Sequence, residues 1–308
     1  MNKLLFFILL LTTLSNAQEP ILPIPKQSEI DHPKAKLGQE LFMDTRFSSD
    51  NSTSCLSCHN VYEGGADSRD VSLGVGAQSG DIHSPTVLNA RYNFRQFWNA
   101  RAKNLVEQID GPIHNPVEHN MDAKRVEKVL NKSTSYQEKF QEIYGVEKIL
   151  YSHFVDAIVA FENALYTPNA KFDKYLRGEV QLSEKEKEGY TLFKQNGCIT
   201  CHNGINIGGN SLQKMGTFKE YKTPKIFPDR SFITKKESHK NVFKVPTLRN
   251  IALTAPYFHD ASAKTLQEAV ETMSHFNLGI RLSKEEVTSI VLFLNTLTGD
   301  TPSILESH

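Results

Sequence analysis

The sequence lacks a surplus of either charge: 35 Lys and Arg stand against 35 Asp and Glu over 308 residues. With no long charge run either, sequence-independent binding to nucleic acid or to a lipid surface has no electrostatic support, and no nucleic-acid partner is expected. Apolar runs long enough to cross a bilayer are absent, so no membrane span is expected. Tryptophan occurs once, as Trp98, and cysteine only four times. The length suffices for two compact domains.

The first residues follow a different pattern. Lys3 precedes the apolar stretch Leu4 to Leu14, broken only by Thr12 and Thr13, and Ser15-Asn16-Ala17 offers small residues where a signal peptidase reads them. Residues 1–17 are therefore expected to be a secretory signal peptide, with an uncleaved anchor as the alternative, and the destination is expected to be periplasmic.

All four cysteines fall in two Cys-x-x-Cys-His motifs, Cys55-Leu56-Ser57-Cys58-His59 and Cys198-Ile199-Thr200-Cys201-His202. An exported chain could use four cysteines as two disulfides. A His directly after each pair is instead what c-type haem attachment demands, with two thioethers to the porphyrin and the imidazole on the iron. Two covalent haem c groups are expected, with His59 and His202 as ligands of the two irons.

The motifs lie in an internal repeat. Gly38-Gln39-Glu40-Leu41-Phe42 precedes the first and Gly189-Tyr190-Thr191-Leu192-Phe193 the second. Downstream, Ile158-Val159-Ala160-Phe161-Glu162-Asn163-Ala164-Leu165 answers Ile290-Val291-Leu292-Phe293-Leu294-Asn295-Thr296-Leu297. Each half thus reads as helix, haem motif, long excursion and closing helix. Phe154, Ile158, Phe161 and Leu165 recur at helical spacing, as do Val287, Ile290, Val291 and Leu294, and Ser283 with Glu286 forms a capping box. A Gly before Leu-Phe in the opening helix would let the closing helix approach closely. Few stretches alternate like strands. The expected fold is mainly α, with two cytochrome c-like domains at 18–167 and 168–308, each with one covalent haem replacing part of the core. Their boundary is placed in the polar stretch from Thr167 to Val180.

Further motifs extend along both halves: Ser84-Pro85-Thr86-Val87-Leu88-Asn89, Gln96-Phe97-Trp98-Asn99-Ala100-Arg101-Ala102, Gly111-Pro112-Ile113 and Asn115-Pro116-Val117-Glu118 in the first, and Val245-Pro246-Thr247-Leu248-Arg249-Asn250 and Thr254-Ala255-Pro256-Tyr257-Phe258-His259-Asp260 in the second. Through these residues the chain resembles the bacterial dihaem cytochrome c peroxidases, a family that also includes relatives acting in tryptophan tryptophylquinone synthesis.

The resemblance implies a peroxidase that reduces hydrogen peroxide to water. His59 would be the proximal ligand of the peroxide-binding haem. Glu118 would stand on its open face as general base and then acid, with Gln108 orienting the peroxide. The second haem would be ligated by His202 and by Met273, which the family places after a helix beginning near Thr265, and a thioether suits haem iron. Trp98 would carry electrons between the haems. The resemblance further implies a calcium ion held by the backbone carbonyls of Thr254 and Pro256, a small electron-donor protein (cytochrome c or cupredoxin), and a homodimer.

Two departures stand out. Where the family commonly has a His that caps the first iron, in the loop Leu73-Gly74-Val75-Gly76-Ala77-Gln78, this chain has Val75, which cannot ligate iron. The first haem is then expected to be open even when both irons are ferric. His83 is the competing ligand, and is read rather as a polar loop residue; it also stands where the family often has an Asn near calcium. His119 follows Glu118, where it either tunes that carboxyl or faces solvent. Two rival functions remain, a non-catalytic dihaem electron-transfer cytochrome and a relative that oxidises a protein substrate, in which a Tyr replaces the distal Met.

Overall fold

The computed structural model describes residues 19–306, so the signal-peptide expectation for 1–17 lies outside the described residues. The chain runs α1 (His32–Met43), α2 (Cys55–Cys58), α3 (Leu105–His114), α4 (Ala123–Lys132), α5 (Thr134–Tyr144), α6 (Tyr151–Ala164), α7 (Lys171–Leu176) and α8 (Glu184–Gln195). It continues as β1 (Leu212–Lys214), α9 (Arg230–Thr234), β2 (Val242–Lys244), α10 (Leu266–Asn277) and α11 (Lys284–Asn295). The two strands pair antiparallel, with Gln213 opposite Phe243. Among the described residues, no helix is long and apolar enough to cross a membrane.

Local chemistry starts these helices where the sequence suggests. The Asp31 side chain accepts from the Lys34 N–H at 3.2 Å, satisfying one of the free donors of the first turn of α1. Ser183 with Glu186, Thr265 with Glu268 and Ser283 with Glu286 form reciprocal capping boxes on α8, α10 and α11.

Each half then closes in the same way. Gly38 of α1 lies against the Ala157 carbonyl and Phe161 of α6, and Gly189 of α8 lies against the Ser289 carbonyl and Phe293 of α11. A β-carbon at either glycine would overlap the facing backbone, so the missing side chain is what lets opening and closing helix touch. Phe42, Phe154 and Phe161 become fully buried in the first half, and Phe193, Ile290 and Phe293 in the second. Burying each such side chain is worth about 1.5–3 kcal/mol.

The polar stretch chosen as the boundary is more structured than its composition suggests. It holds α7, whose Phe172 sits in the core of the second half, and Asp173 is buried against Arg249 at 2.6 Å. Both chain ends also cross over. Ile21 packs in the second core, with the Leu22 carbonyl accepting from Arg249 at 2.9 Å, while Ile304 and Leu305 pack in the first core and the Ile304 carbonyl accepts from Lys36 at 2.8 Å. Contacts this distant in sequence leave no periodic signal in it.

Candidate active site

The first haem motif forms one helical turn. In α2 the two cysteines are three residues apart, which brings their thiols to one face, and His59 closes the turn with its N–H on the Cys55 carbonyl at 3.0 Å. Cys55, Cys58 and His59 line a cavity shared with Trp98, Gln108 and Glu118. Four separate segments therefore converge on one space.

Each convergent side chain has a local reason for its place. Asn104 caps α3 by accepting from the Glu107 N–H at 2.9 Å, and Gln108 follows one turn in, its N–H on the Asn104 carbonyl at 3.1 Å. Beyond α3 the chain turns on Asn115. Its Oδ1 accepts from the Val117 N–H at 3.1 Å, and its Nδ2 donates to Oε1 of Glu118 at 2.6 Å. Burial pushes the Glu118 carboxyl above its ordinary value, opposed by the Asn115 bond and the Arg101 charge. The result is a held carboxyl with a strengthened affinity for a proton. Asn115 was present in the motif, but its positioning role needed the geometry to be seen.

The site suits a covalently held haem. Burial pushes His59 and His202 down to about 4, so both are neutral imidazoles able to bind a metal. Burial raises all four thiols, whereas a redox-active pair or a thiolate metal site would need them lowered. His59 Nδ1 is buried without a hydrogen-bond partner among the described residues, and His202 Nδ1 lies 3.4 Å from the Ile207 carbonyl. Lys244, on β2, is buried among the described residues without an anionic partner, and burial lowers it to about 8. A buried cation of this kind fits a cofactor that carries carboxylates.

The repeat reaches further than helix spacing reveals. Thr86 to Pro112 matches Thr247 to Met273 without a gap. Asn89 and Asn250 both adopt left-handed backbone and bind the carbonyls that end the closing helices, Leu165 and Leu297, at 2.8 and 3.1 Å. Gln96 bridges Ala102 as Tyr257 bridges Ala263, and Phe97 and Phe258 share a positive φ, as do Ala100 and Ala261. Trp98 is thus the counterpart of His259, and their rings meet edge to face at 6.1 Å. The signal was available, since the Thr-x-x-Asn and Phe-x-x-Ala spacings recur at one constant offset.

This register places Pro112 opposite Met273. Pro112 lines the first cavity, and its side chain offers no donor atom to a metal. Met273 lies within α10, not after a helix beginning near Thr265, because Thr265 is the cap of that helix. It packs on Met215, Tyr221, Phe227 and Phe243, the cluster that also takes in Trp98. Trp98 therefore touches both the first cavity and the cluster containing Met273. Its Nε1 donates to the His83 carbonyl at 2.8 Å, and its own carbonyl accepts from the Lys244 N–H at 2.7 Å.

Three loop residues are fixed by contacts that sequence does not reveal. Val75 is 4 % exposed, with its N–H on the Glu118 carbonyl at 2.9 Å, so this loop is pinned beside the catalytic candidate. His83 lies in a loop, as expected, but is buried and lines the cavity, with its Nδ1 3.2 Å from the Arg69 carbonyl. His119 faces the interior, its Nδ1 3.0 Å from the Phe47 carbonyl, and it is not among the groups that shift Glu118. The carbonyls of Thr254 and Pro256 accept no hydrogen bond among the described residues, which leaves them free for a hard cation.

Residues 32–181 match the family model for di-haem cytochrome c peroxidase, and residues 186–298 match that for cytochrome c. The cytochrome c551 peroxidase of Nitrosomonas europaea is 48 % identical, covering 93 % of this chain and 86 % of the relative. That of Pseudomonas aeruginosa is 39 % identical, covering 92 % and 85 %. Among solved structures, a MauG-like protein associated with microbial copper homeostasis superposes with a TM-score of 0.82 at 26 % identity, over 94 % of this chain and 95 % of that one. With one haem motif in each of two matched halves and relatives of this identity along nearly its whole length, the chain belongs to the dihaem cytochrome c peroxidase family.

Proposed function

We propose that the chain reduces hydrogen peroxide to water at the haem attached to Cys55 and Cys58, drawing electrons through the haem attached to Cys198 and Cys201. The observation that carries this reading is the meeting of His59, Glu118, Gln108 and Trp98 on one cavity. The relatives named as cytochrome c551 peroxidases support it.

When bound, the haem supplies the iron and the electron chemistry of O–O cleavage. The protein supplies position and protons. Glu118 keeps Oε1 on Asn115, which leaves Oε2 to take a proton from the inner peroxide oxygen and return it to the outer one. A carboxyl raised by burial accepts that proton more readily than an exposed one. The Gln108 amide orients peroxide beside it. The net change is one peroxide, two electrons and two protons to two waters.

His202 and Met273 serve as ligands of the electron-accepting haem, and Trp98 lies on the route between the two. The match of Met273 to Pro112 supports a closed second site and an open first one. It also disfavours the branch that oxidises a protein substrate, in which a Tyr replaces that Met. The pinned Val75 supports a first haem that needs no prior reduction to release a ligand. The electron donor is a small cytochrome or cupredoxin, and the composition of residues 1–17 supports a periplasmic location. The free carbonyls of Thr254 and Pro256 support calcium. The division is two haem domains, 18–167 and 168–308, with their terminal arms exchanged.

Steady-state peroxide reduction by the as-isolated enzyme, with and without pre-reduction, tests the reading. Turnover is expected in both conditions. Glu118→Gln should lower kcat/KM by about 10²–10⁴-fold with the haem spectra unchanged. Undiminished turnover in that variant would overturn the assignment of Glu118, and dependence on pre-reduction would overturn that of Val75.

A further inference from the structure

The closing helices differ at one buried position. The contacts of Gly38 and Gly189 align Ala157 with Ser289 and Phe161 with Phe293, so Glu162 stands where the second half has Leu294. Both are 4 % exposed. Leu294 is ordinary core. Glu162 is a carboxyl on the wall of the cavity that holds Cys55, His59 and Glu118, and its Oε2 is buried with no hydrogen-bond partner among the described residues.

An isolated carboxylate at such a place is unfavourable, so burial strengthens the group's affinity for a proton. Burial alone pushes Glu162 up to about 8. Besides the exposed His32, Glu107, His114, Lys124, Arg125, Lys128 and Lys132, the charged groups on elements packed against α6 are Lys34, Lys36 and Glu40 of α1, Asp110 of α3, Glu127 of α4, and Arg91 of the turn Ala90–Tyr92. Each is at least partly exposed and engaged elsewhere: Lys34 with Asp156, Lys36 with the Ile304 carbonyl, Glu40 with Lys139, Asp110 with Tyr151, Glu127 with the Tyr151 N–H and Arg91 with the Asn163 carbonyl. None offsets the burial. Cys55 is the titratable neighbour whose ionisation is tied to Glu162, and as a thioether it carries no charge.

Peroxide reduction needs two protons for two electrons, and Glu118 only moves one between the two oxygens. Each electron that enters a buried site adds negative charge where the dielectric is low, and a proton taken up nearby cancels it. We propose that Glu162 is the redox-linked proton site of the N-terminal haem pocket, its carboxyl gaining one solvent proton as one electron arrives and releasing it as that electron is consumed. This rests on the reading that a haem is attached at Cys55 and Cys58.

Spectroelectrochemical titration of the dihaem protein tests it, from the ordinary carboxylate range to above about 8. The potential of the N-terminal haem should fall with rising pH in the wild type. The slope should flatten in Glu162→Gln and in Glu162→Leu, the latter installing the residue of the second half, while the C-terminal haem stays unchanged. In reduced-minus-oxidised infrared spectra, a protonated-carboxyl band that shifts in D₂O should be present in the wild type and missing in Glu162→Gln. A flat wild-type potential, or a slope and band that survive in Glu162→Gln, would overturn the proposal. Absence of haem from the first motif would overturn the underlying reading instead, and pyridine haemochrome content separates the two failures.

Discussion

The two halves of this protein share a frame and differ in what they place on it. Both pack a glycine of the opening helix onto the closing helix, and both bind an Asn N–H to the carbonyl that ends it. On that common frame the first half carries Trp98, Pro112 and Glu162 where the second carries His259, Met273 and Leu294. The first cavity is thereby lined by Pro112 and the Glu162 carboxyl, and the second half has a thioether and a leucine at the matching positions. The backbone contacts that fold each half are shared, and the halves differ in a few side chains that those contacts do not constrain.

The largest effect should come from making the halves alike. Pro112→Met puts a sixth ligand of the kind offered by Met273 beside the first haem. The expected outcome is loss of peroxide reaction at that haem and a low-spin spectrum in its place, with Met273→Ala opening the second haem in the reciprocal direction. A first haem that still reacts normally with peroxide in Pro112→Met would break the proposed correspondence.

A smaller and symmetric effect is expected from the shared frame. Gly38→Ala and Gly189→Ala each place a β-carbon into a facing carbonyl, and each should destabilise its half by about 1–3 kcal/mol. Urea unfolding followed at both haems would report it. A change confined to one variant would mean that the helix crossings are not equivalent.

The smallest effect concerns pH. Glu118 must start ionised to act as base, and burial raises its pKa, so peroxide turnover should decline as pH falls through a value above the ordinary Glu range. Arg101 favours the charged form. Arg101→Ala should therefore move that acid limb to higher pH, and a pH–rate profile would measure the shift.

Much of this was legible in the linear sequence. Ser283 with Glu286 marked the start of α11, and the periodicity of Phe154, Ile158 and Phe161 marked the buried face of α6, because caps and helix faces are set by neighbours within one or two turns. The resemblance supplied Glu118, Gln108 and Trp98 as a group, and the cavity holds all three. Burial was harder to read than local structure. His83 has the residue type and loop setting of a solvated side chain, yet the packing of the second half against it buries it, with its N–H on the His259 carbonyl at 3.0 Å. Met273 was expected beyond a helix that in fact includes it.

The covalent chemistry needed no fold to be read. Cys-x-x-Cys-His places two thiols and an imidazole within one turn, and the motif occurs twice. The helices that frame it follow equally from local pattern. Only the tertiary structure could place Asn115 on Glu118, exchange the terminal arms between the cores, and leave Glu162 without a partner in the wall of the first cavity. Those outcomes depend on desolvation and on contacts between residues far apart in the chain, and neither is encoded in the spacing of nearby residues.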